Sequence, residues 1–304
     1  MLIKYYFIAL LMLLLVNAPL QAQSTCSEQG VWLQVLGSGG PELDDGRASS
    51  GYVIWLNGKA RILLDMGAGS LLHFEQSGAM LNDLDVVLLS HLHVDHSNDL
   101  PALIKAAYFS DRNRDLPLYG PNGNSLMPAT TAFVQKLFAA KGAYRYLSDY
   151  LDGSESFRLL PHDVDVSSTA EYVVKTDMPY GLTAVAVHHG PVPALAWRVE
   201  IAGRSLVFSG DMNNQNNVLS KLAKQADLLL AHHAIPEQAG SVARNLHMPP
   251  SVIGQIASKA EVKQLVLSHR MNRTLGREKA ATAQIRQSYK GTLHFADDLQ
   301  CFRP

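Results

Sequence analysis

The feature that most constrains this chain is the density of metal-binding side chains in the stretch Ser90-His91-Leu92-His93-Val94-Asp95-His96. A solvated His-rich tract is biased in composition on both sides, whereas this stretch is flanked by apolar sequence. On a turn between a strand and a helix, such a run divides its ligands between two neighbouring cations. His91 and His93 would face one cation, and Asp95 and His96 would face the other. The stretch therefore predicts a two-metal hydrolase.

The flanking residues predict the local structure that presents these ligands. The apolar run Leu84-Asp85-Val86-Val87-Leu88-Leu89 is rich in β-formers and indicates a buried strand that ends just before His91. After the motif, the polar residues Ser97-Asn98-Asp99, followed by Pro101, are typical of a helix start. The ligands would thus lie at the carboxyl end of a strand, where α/β proteins place their sites.

At these residues the sequence resembles the metallo-β-lactamase superfamily, whose signature is His-x-His-x-Asp-His. The resemblance extends roughly from Trp32 to His294. The stretch Ile62-Leu63-Leu64-Asp65-Met66-Gly67 is similar to the family's first motif, a strand that ends in an Asp supporting the site without binding metal. Three later segments resemble the family's third, fourth and fifth motifs and occur in the same order. They are residues 187–198, 207–211 and 265–269.

The resemblance implies a division of the ligands between two metals. One metal would be bound by His91, His93 and His189, the second by Asp95, His96 and His269, and Asp211 would bridge the two. The two metal-bound carboxylates, Asp95 and Asp211, are expected among the catalytic residues. His189 is preferred to His188 because the family's histidine directly precedes a glycine, and His188 would then alternate to the opposite strand face. We therefore interpret His188 as a packed or surface histidine that does not bind metal.

The resemblance also implies the fold, an αββα sandwich built from two βα halves, known as the metallo-β-lactamase fold. No Pro- or Ser-rich linker, internal repeat or low-complexity block divides the middle of the 304 residues, so residues 23–304 are interpreted as one domain. We expect the turn at residues 37–41 to lie near the cleft, and residues 108–150 to form helices covering one side of the site. The expected strands lie near residues 32–36, 51–56, 62–64, 86–89, 173–175, 183–187, 196–201, 205–208, 228–231 and 265–267.

The amino terminus has the pattern of an export signal. Lys4 precedes an apolar core of 12 residues, Tyr5 to Val16, and Leu20-Gln21-Ala22 offers a small-residue cleavage site. A bilayer span needs about 20 apolar residues, so a cleaved signal over residues 1–22 is expected, and with it a periplasmic or secreted protein. An uncleaved membrane anchor is the alternative. A lipoprotein is disfavoured because the residues before Cys26 lack the usual apolar side chain.

Export also bears on the two cysteines, Cys26 and Cys301. An oxidising compartment favours pairing of an even number, so we expect one disulfide between them. Two free thiols are the alternative, because sequence does not show whether the two ends of the chain approach each other.

The charge of the chain and the length of one loop indicate which partners to expect. The chain has 26 basic and 27 acidic residues, which is unlike the basic footprint of a nucleic-acid binder. Around His189, Asp211 and Asn245-Leu246-His247-Met248 it most resembles the ribonuclease Z and arylsulfatase branch, whose tRNA-processing members carry a long basic arm. Asp211 lies only 22 positions after His189, and the residues between them indicate two strands and a turn. We therefore expect a small-molecule ester substrate and no nucleic acid, and no membrane contact after signal cleavage.

The expected mechanism follows from the predicted site. Two divalent ions, with zinc favoured by the His-rich ligand set, would lower the pKa of a bridging water and hold it as hydroxide. As a bridging carboxylate, Asp211 would keep the metals about 3.5 to 4 Å apart, which suits in-line displacement at phosphorus. The resemblance implies that His247 protonates the leaving oxygen, and a role in capping or packing is the alternative. One of His232 and His233 is expected to border the cleft, although a structural role fits equally well.

The expected function is thus hydrolysis of small phosphodiesters or related esters such as sulfates and lactones. A β-lactamase and a ribonuclease Z-like nuclease are the alternatives among enzymes. A metal-binding protein without catalysis is the alternative outside enzymes, and the intact ligand set disfavours it.

Overall fold

The computed structural model describes Cys26 and residues 28–304, so the leader predicted over residues 1–22 lies outside the described residues. Short runs rich in Val, Ile and Leu form strands here, as their composition predicts. The strands of this part of the chain are β1 (Val31–Gly37), β2 (Gly51–Leu56), β3 (Lys59–Met66), β4 (Val86–Leu88), β5 (Leu116–Pro121), β6 (Leu159–Val164), β7 (Tyr172–Val173), β8 (Tyr180–His189), β9 (Val192–Ile201), β10 (Arg204–Phe208), β11 (Leu228–His232), β12 (Gln264–Ser268), β13 (Thr292–Phe295) and β14 (Cys301–Phe302).

The strands form two sheets of seven strands each within the described residues, with the orders β14-β1-β2-β3-β4-β5-β6 and β13-β12-β11-β10-β9-β8-β7. Strands β3 to β6 are parallel to one another, and so are β10 to β13. The carboxyl ends of neighbouring parallel strands lie at one edge of their sheet. Loops that follow these strands can therefore bring distant residues together.

Helices cover the outer faces of both sheets. The helices of the described part of the chain are α1 (Ser70–Gln76), α2 (Val94–Ser97), α3 (Leu100–Ala107), α4 (Thr130–Phe138), α5 (Asp149–Asp152), α6 (Leu219–Leu222), α7 (Ser241–Leu246), α8 (Pro250–Lys259) and α9 (Glu278–Ile285), and most of them pack on these outer faces. Two short 3₁₀ turns span Leu81–Asp83 and Arg145–Leu147. Among the described residues, no helix has the length and apolar character needed to span a bilayer.

Side-chain alternation along the strands produces three apolar layers. In β3, for example, Ile62 and Leu64 face the other sheet, whereas Leu63 faces the helices. Helices α1, α3, α4 and α5 pack on the first sheet, and α6, α8 and α9 pack on the second. The αββα sandwich predicted from the sequence is thus confirmed.

The prediction of helices over residues 108–150 is only partly correct. This region contains α4, but it also contains β5, which pairs in parallel with β4. Strand β5 has the sequence LPLYGP, and two prolines with a glycine are typical of a turn. It forms a strand because its partners on both sides, β4 and β6, supply the pairing that its own composition does not favour.

The first sheet is closed at one side by the end of the chain. Strand β14 pairs antiparallel with β1, with Cys301 opposite Gln34. A disulfide joins Cys301 to Cys26, with a Cα–Cα distance of 5.7 Å, so the pair expected from the cysteine count is present in the structure.

Candidate metal centre

The predicted metal-binding residues lie together at one edge of the sandwich. His91 and α2 follow β4, His189 ends β8, Asp211 follows β10, and His269 follows β12. The side chains of these four residues are all buried. Residues as far apart in sequence as His91 and His269, which are separated by 178 positions, thus lie together. They do so because the strands before them end at a common edge.

Three imidazoles form the first half of the site. Nδ1 of His93 lies 3.0 Å from Nε2 of His91 and 3.3 Å from Nε2 of His189. Imidazole nitrogens held at about 2.0–2.1 Å by one tetrahedral cation are roughly 3.3 Å apart, so this spacing fits a shared metal ion. His189 Nδ1 is 2.9 Å from the carbonyl oxygen of Leu246, which fixes the ring with Nε2 towards the other two histidines.

Asp95, His96 and His269 form the second half. Oδ2 of Asp95 lies 3.5 Å from Nε2 of His96 and 3.3 Å from Nε2 of His269. Both of these Nε2 atoms are buried and have no hydrogen-bond partner among the described residues. Buried polar atoms without a partner cost free energy, and a divalent cation would satisfy them. The donor set therefore fits a divalent metal.

Asp211 lies between the two halves. Its Oδ2 is 3.9 Å from Nε2 of His91 and 3.6 Å from Nε2 of His189 in the first half. In the second half the same oxygen is 3.7 Å from Nε2 of His96 and 3.4 Å from Nε2 of His269. One carboxylate oxygen thus faces both groups of ligands.

Of the two histidines that follow β11's apolar run, one of which was expected to border the cleft, His232 is the one that reaches the site. It lies within 4.8 Å of the ligand atoms of His96, Asp211 and His269, so proximity alone would make it a ligand. Its two nitrogens are already engaged, however, with Nδ1 2.8 Å from Oδ1 of Asp211 and Nε2 3.1 Å from the hydroxyl of Tyr52. His232 therefore orients the central carboxylate. The sequence did contain a signal for this position of His232. Every second side chain of a strand lies on the same face, so His232 shares a face of β11 with Leu228 and Leu230.

Asp65 supports the site, as its motif implied, from the end of β3. Its Oδ1 accepts a hydrogen bond from the backbone N–H of Ser90, and its Oδ2 accepts one from the Ser90 hydroxyl. Oδ2 also lies 2.8 Å from Nδ1 of His96, which holds that ring with Nε2 towards Asp95. Asp65 therefore ties the end of β4 to a histidine of the second half.

The electrostatics of the site favour positive charge at its centre. Burial alone would raise the pKa of the Asp211 carboxyl, but the imidazoles around it, His269 first, hold that pKa well below its usual value. Burial alone would lower the pKa of His96, but Asp95 and Asp65 beside it raise that pKa to about 9. The buried carboxylates thus stabilise a cation, and a bound metal ion would supply that charge.

His247 lies at the rim of this centre, directly after α7. Its Nδ1 is 3.8 Å from Oδ1 of Asp211, and its ring centroid is 5.3 Å from that of His189. Burial lowers the pKa of His247 to about 3, and Nδ1 has no hydrogen-bond partner in the part of the chain described. The ring is therefore neutral at neutral pH before a substrate binds.

The remaining predicted residues have different positions. His188 faces away from the metal-binding cluster, as strand alternation predicted. His233 packs edge-on against Phe295, and its ring nitrogens have no hydrogen-bond partner among the described residues. The turn at residues 37–41 does lie near the cleft, because a Cβ on Gly40 would be 2.8 Å from Cε1 of His269.

Comparisons with known proteins agree with this geometry. A family model described as "Beta-lactamase superfamily domain" matches residues 60–270. The curated relatives include a ribonuclease Z from Mycolicibacterium paratuberculosis, 27% identical over 277 residues, which cover 87% of this chain and 95% of the relative.

Two solved structures share the fold. The metallo-beta-lactamase fold protein YhfI from Bacillus subtilis has a TM-score of 0.70 and 21% identity, covering 90% of this chain and 98% of that one. Human tRNase Z, short form, has a TM-score of 0.69 and 20% identity with the same coverage of both chains. At these identities the likeness concerns the fold alone.

The relatives correct one expectation from the sequence. Nucleic acid was not expected as a partner, and this is wrong, because similarity to ribonuclease Z proteins extends over most of the chain. Net charge sums the whole sequence and ignores where charges lie. Residues 116–148, for example, contain Lys136, Lys141 and Arg145 but no Asp or Glu. Bound metal cations would add positive charge that the sequence does not count.

Proposed function

Because this chain belongs to the β-lactamase superfamily, a family of metal-dependent hydrolases, we propose that it is a two-metal phosphodiesterase of the ribonuclease Z type that hydrolyses RNA. The observation that carries the proposal is the position of Asp211. One of its oxygens faces imidazoles of both halves at 3.4 to 3.9 Å. If two metal ions were bound, Asp211 would be the residue that holds both, and the pair would supply the chemistry of in-line displacement at phosphorus.

The ligand set supports zinc as the metal. Five imidazoles and two carboxylates converge, and zinc favours histidine with carboxylate ligands. When bound, two such ions lower the pKa of a water between them and offset the charge that develops on the phosphoryl oxygens.

The chain's own residues prepare the site for this chemistry. His232 holds Oδ1 of Asp211, so that Oδ2 points to the centre. His247 lies at the rim beside Asp211, where it could contact the leaving oxygen of a bound phosphodiester. A phosphoryl anion next to the ring would raise the pKa of His247 from its low value, and the protonated ring could then donate to the leaving group.

The substrate class rests on the relatives. The curated proteins that match most of this chain are ribonuclease Z proteins, which favours RNA over a sulfate ester, a lactone or a β-lactam. The hairpin of β9 and β10 between His189 and Asp211 is short, so an arm at this position does not hold the RNA.

One panel of substrates tests the proposal. The zinc-reconstituted protein would be given a single-stranded RNA oligonucleotide, a precursor tRNA, bis(p-nitrophenyl) phosphate, an aryl sulfate, a lactone and a chromogenic cephalosporin. We expect cleavage of RNA and of the phosphate diester, and loss of both in Asp211→Ala. Hydrolysis confined to the sulfate, the lactone or the cephalosporin would refute the phosphodiesterase. Hydrolysis of the small diester without any RNA cleavage would refute RNA as the substrate.

We also propose that the protein is exported. The disulfide between Cys26 and Cys301 supports this, because such bonds persist mainly in oxidising compartments. Cell fractionation with amino-terminal sequencing of the mature protein tests it. We expect the protein outside the cytoplasm with its first residues removed near Ala22, and an intact protein in the cytoplasm would contradict the proposal.

A further inference from the structure

A second recess lies beside the metal centre on the same edge of the sandwich. It has a volume of about 760 Å³ and is lined by residues from 122–124, 166–169 and 186–194, and by Asn216. The first two segments follow β5 and β6 of the first sheet, and the third is the end of the β8–β9 hairpin of the second. The recess is therefore a cleft between the two sheets. We call it the side groove.

Topology places the side groove close to the metal-binding residues. Strands β4, β5 and β6 are parallel neighbours, so their carboxyl ends follow one another along the edge. Neighbouring strands are about 4.8 Å apart, so the loops after β5 and β6 lie roughly 5 to 10 Å along the edge from the loop that carries His91. The wall and the centre also share a strand, because His189 belongs to the metal-binding cluster while His188 lines the groove.

The lining of the side groove is polar but uncharged. Among the described residues that line it, none is Asp, Glu, Lys or Arg. Asn124 donates a hydrogen bond to the carbonyl oxygen of Pro191, so the two walls are tied together. His188 has a buried Nδ1 without a hydrogen-bond partner in the described part of the chain, and the amide of Asn216 is exposed at the rim.

We propose that the side groove binds the nucleoside, that is the ribose and base, attached to the scissile phosphate. This inference rests on the proposed phosphodiesterase. A wall without cationic side chains is poorly suited to a second phosphate, whereas amides, hydroxyls and an imidazole pair well with sugar hydroxyls and base edges. The volume lies within the range of pockets that hold small organic ligands. His188 and Asn216 are the side chains that would recognise the nucleoside.

Two chromogenic esters with the same leaving group test this. Uridine 3′-(p-nitrophenyl phosphate) carries a nucleoside, and bis(p-nitrophenyl) phosphate does not. For the zinc-loaded protein we expect a lower KM for the nucleoside ester. Asn216→Ala and His188→Ala should each raise that KM by about tenfold, through loss of one hydrogen bond, with kcat preserved. The KM for bis(p-nitrophenyl) phosphate should change less than twofold.

Gln215→Ala is the matched control, because Gln215 is an exposed neighbour of Asn216 that does not line the groove. It should leave both KM values unchanged. If wild-type protein shows no preference for the nucleoside ester, or if Asn216→Ala alters both esters equally, the groove does not bind a nucleoside although the phosphodiesterase stands. If neither ester is hydrolysed by wild-type protein, the proposed function itself fails. Since Asn216 lies on an exposed loop, its variant keeps the test informative if His188→Ala does not fold.

Discussion

Asp211 makes polar contacts on both of its carboxylate oxygens. Oδ2 faces the histidines of both halves, and Oδ1 contacts His232 at 2.8 Å. We predict that Asp211→Ala lowers phosphodiesterase activity by at least about a hundredfold and reduces the metal content, because both metal positions lose a shared anion. Elemental analysis after zinc reconstitution, with kinetics on bis(p-nitrophenyl) phosphate, checks this. Asp111→Ala, at an exposed carboxylate, is the control. Unchanged metal content and activity in Asp211→Ala would remove Asp211 from the site.

The contact between His232 and Asp211 leads to a second prediction. His232→Leu removes the group that orients the carboxylate, so activity or zinc affinity should fall by about 10- to 100-fold. Its neighbour His233 is equally buried, but its ring nitrogens have no hydrogen-bond partner among the described residues, so His233→Leu is a matched control. Zinc titration and kcat/KM measured on both variants test the difference. Equal effects of the two substitutions would mean that burial alone, rather than orientation of Asp211, explains the role of His232.

His247 gives a prediction that depends on the substrate. If the ring protonates the leaving oxygen, His247→Ala should lower kcat most for esters with poor leaving groups and least for nitrophenolates, which leave without a proton. A series of aryl methyl phosphate diesters with graded leaving-group pKa, measured at constant metal content, gives the comparison. An equal loss of kcat across the series would assign His247 to substrate binding or to packing against His189.

At the scale of elements, the site depends on how closely β3 approaches α2. Gly67 follows β3, and a Cβ at this position would lie 2.0 Å from the carbonyl oxygen of Asp95. We predict that Gly67→Ala destabilises the fold by about 1–3 kcal/mol or more, since backbone must move, and lowers zinc affinity by displacing Asp95. Thermal unfolding and zinc titration check this. Gly240→Ala is the control, because nothing lies within 4 Å of its Cβ position. A stable, zinc-binding Gly67→Ala variant would contradict the prediction.

The elements that could be predicted from the sequence are those with strong local signals. β2 occupies the predicted residues 51–56, and the end of β4 falls within one residue of its prediction, because both are short apolar runs. β6 and β14 were not predicted. β6 contains a proline and two exposed residues, and β14 has only two residues, so neither has a local signal. Both form through pairing with strands distant in sequence.

The same distinction applies to the site. Asp211 and His269 follow Val- and Leu-rich strands, and their family motifs made them recognisable. The role of His232 could not be separated from that of His233, because both end the same apolar run and only the position of Asp211 distinguishes them. The side groove had no signal at all. It is formed by residues from four parts of the chain whose proximity depends on strand order.

At the scale of the whole molecule, the carboxyl terminus supports the site edge. The carboxylate of Asp298 accepts hydrogen bonds from the backbone N–H groups of Ser38 and Ala48, both at 2.8 Å. The loop between these two residues includes Gly40, which lies against His269. Because β14 follows Asp298 and is bonded through Cys301 to Cys26, the disulfide holds the segment that shapes this loop.

The disulfide therefore gives the final prediction. Its closure of a loop with a sequence separation of 275 should stabilise the native protein by about 5 to 6 kcal/mol in the chain-entropy model. Urea unfolding of the native protein, with and without dithiothreitol, measures this. The double variant Cys26→Ala/Cys301→Ala should show the lower stability and no response to the reductant. At urea concentrations well below its unfolding transition, the double variant should lose a much smaller fraction of its activity than of its free energy of unfolding. The reason is that Asp298 retains its hydrogen bonds to Ser38 and Ala48. Two titratable thiols in the denatured, unreduced protein would contradict the pairing itself.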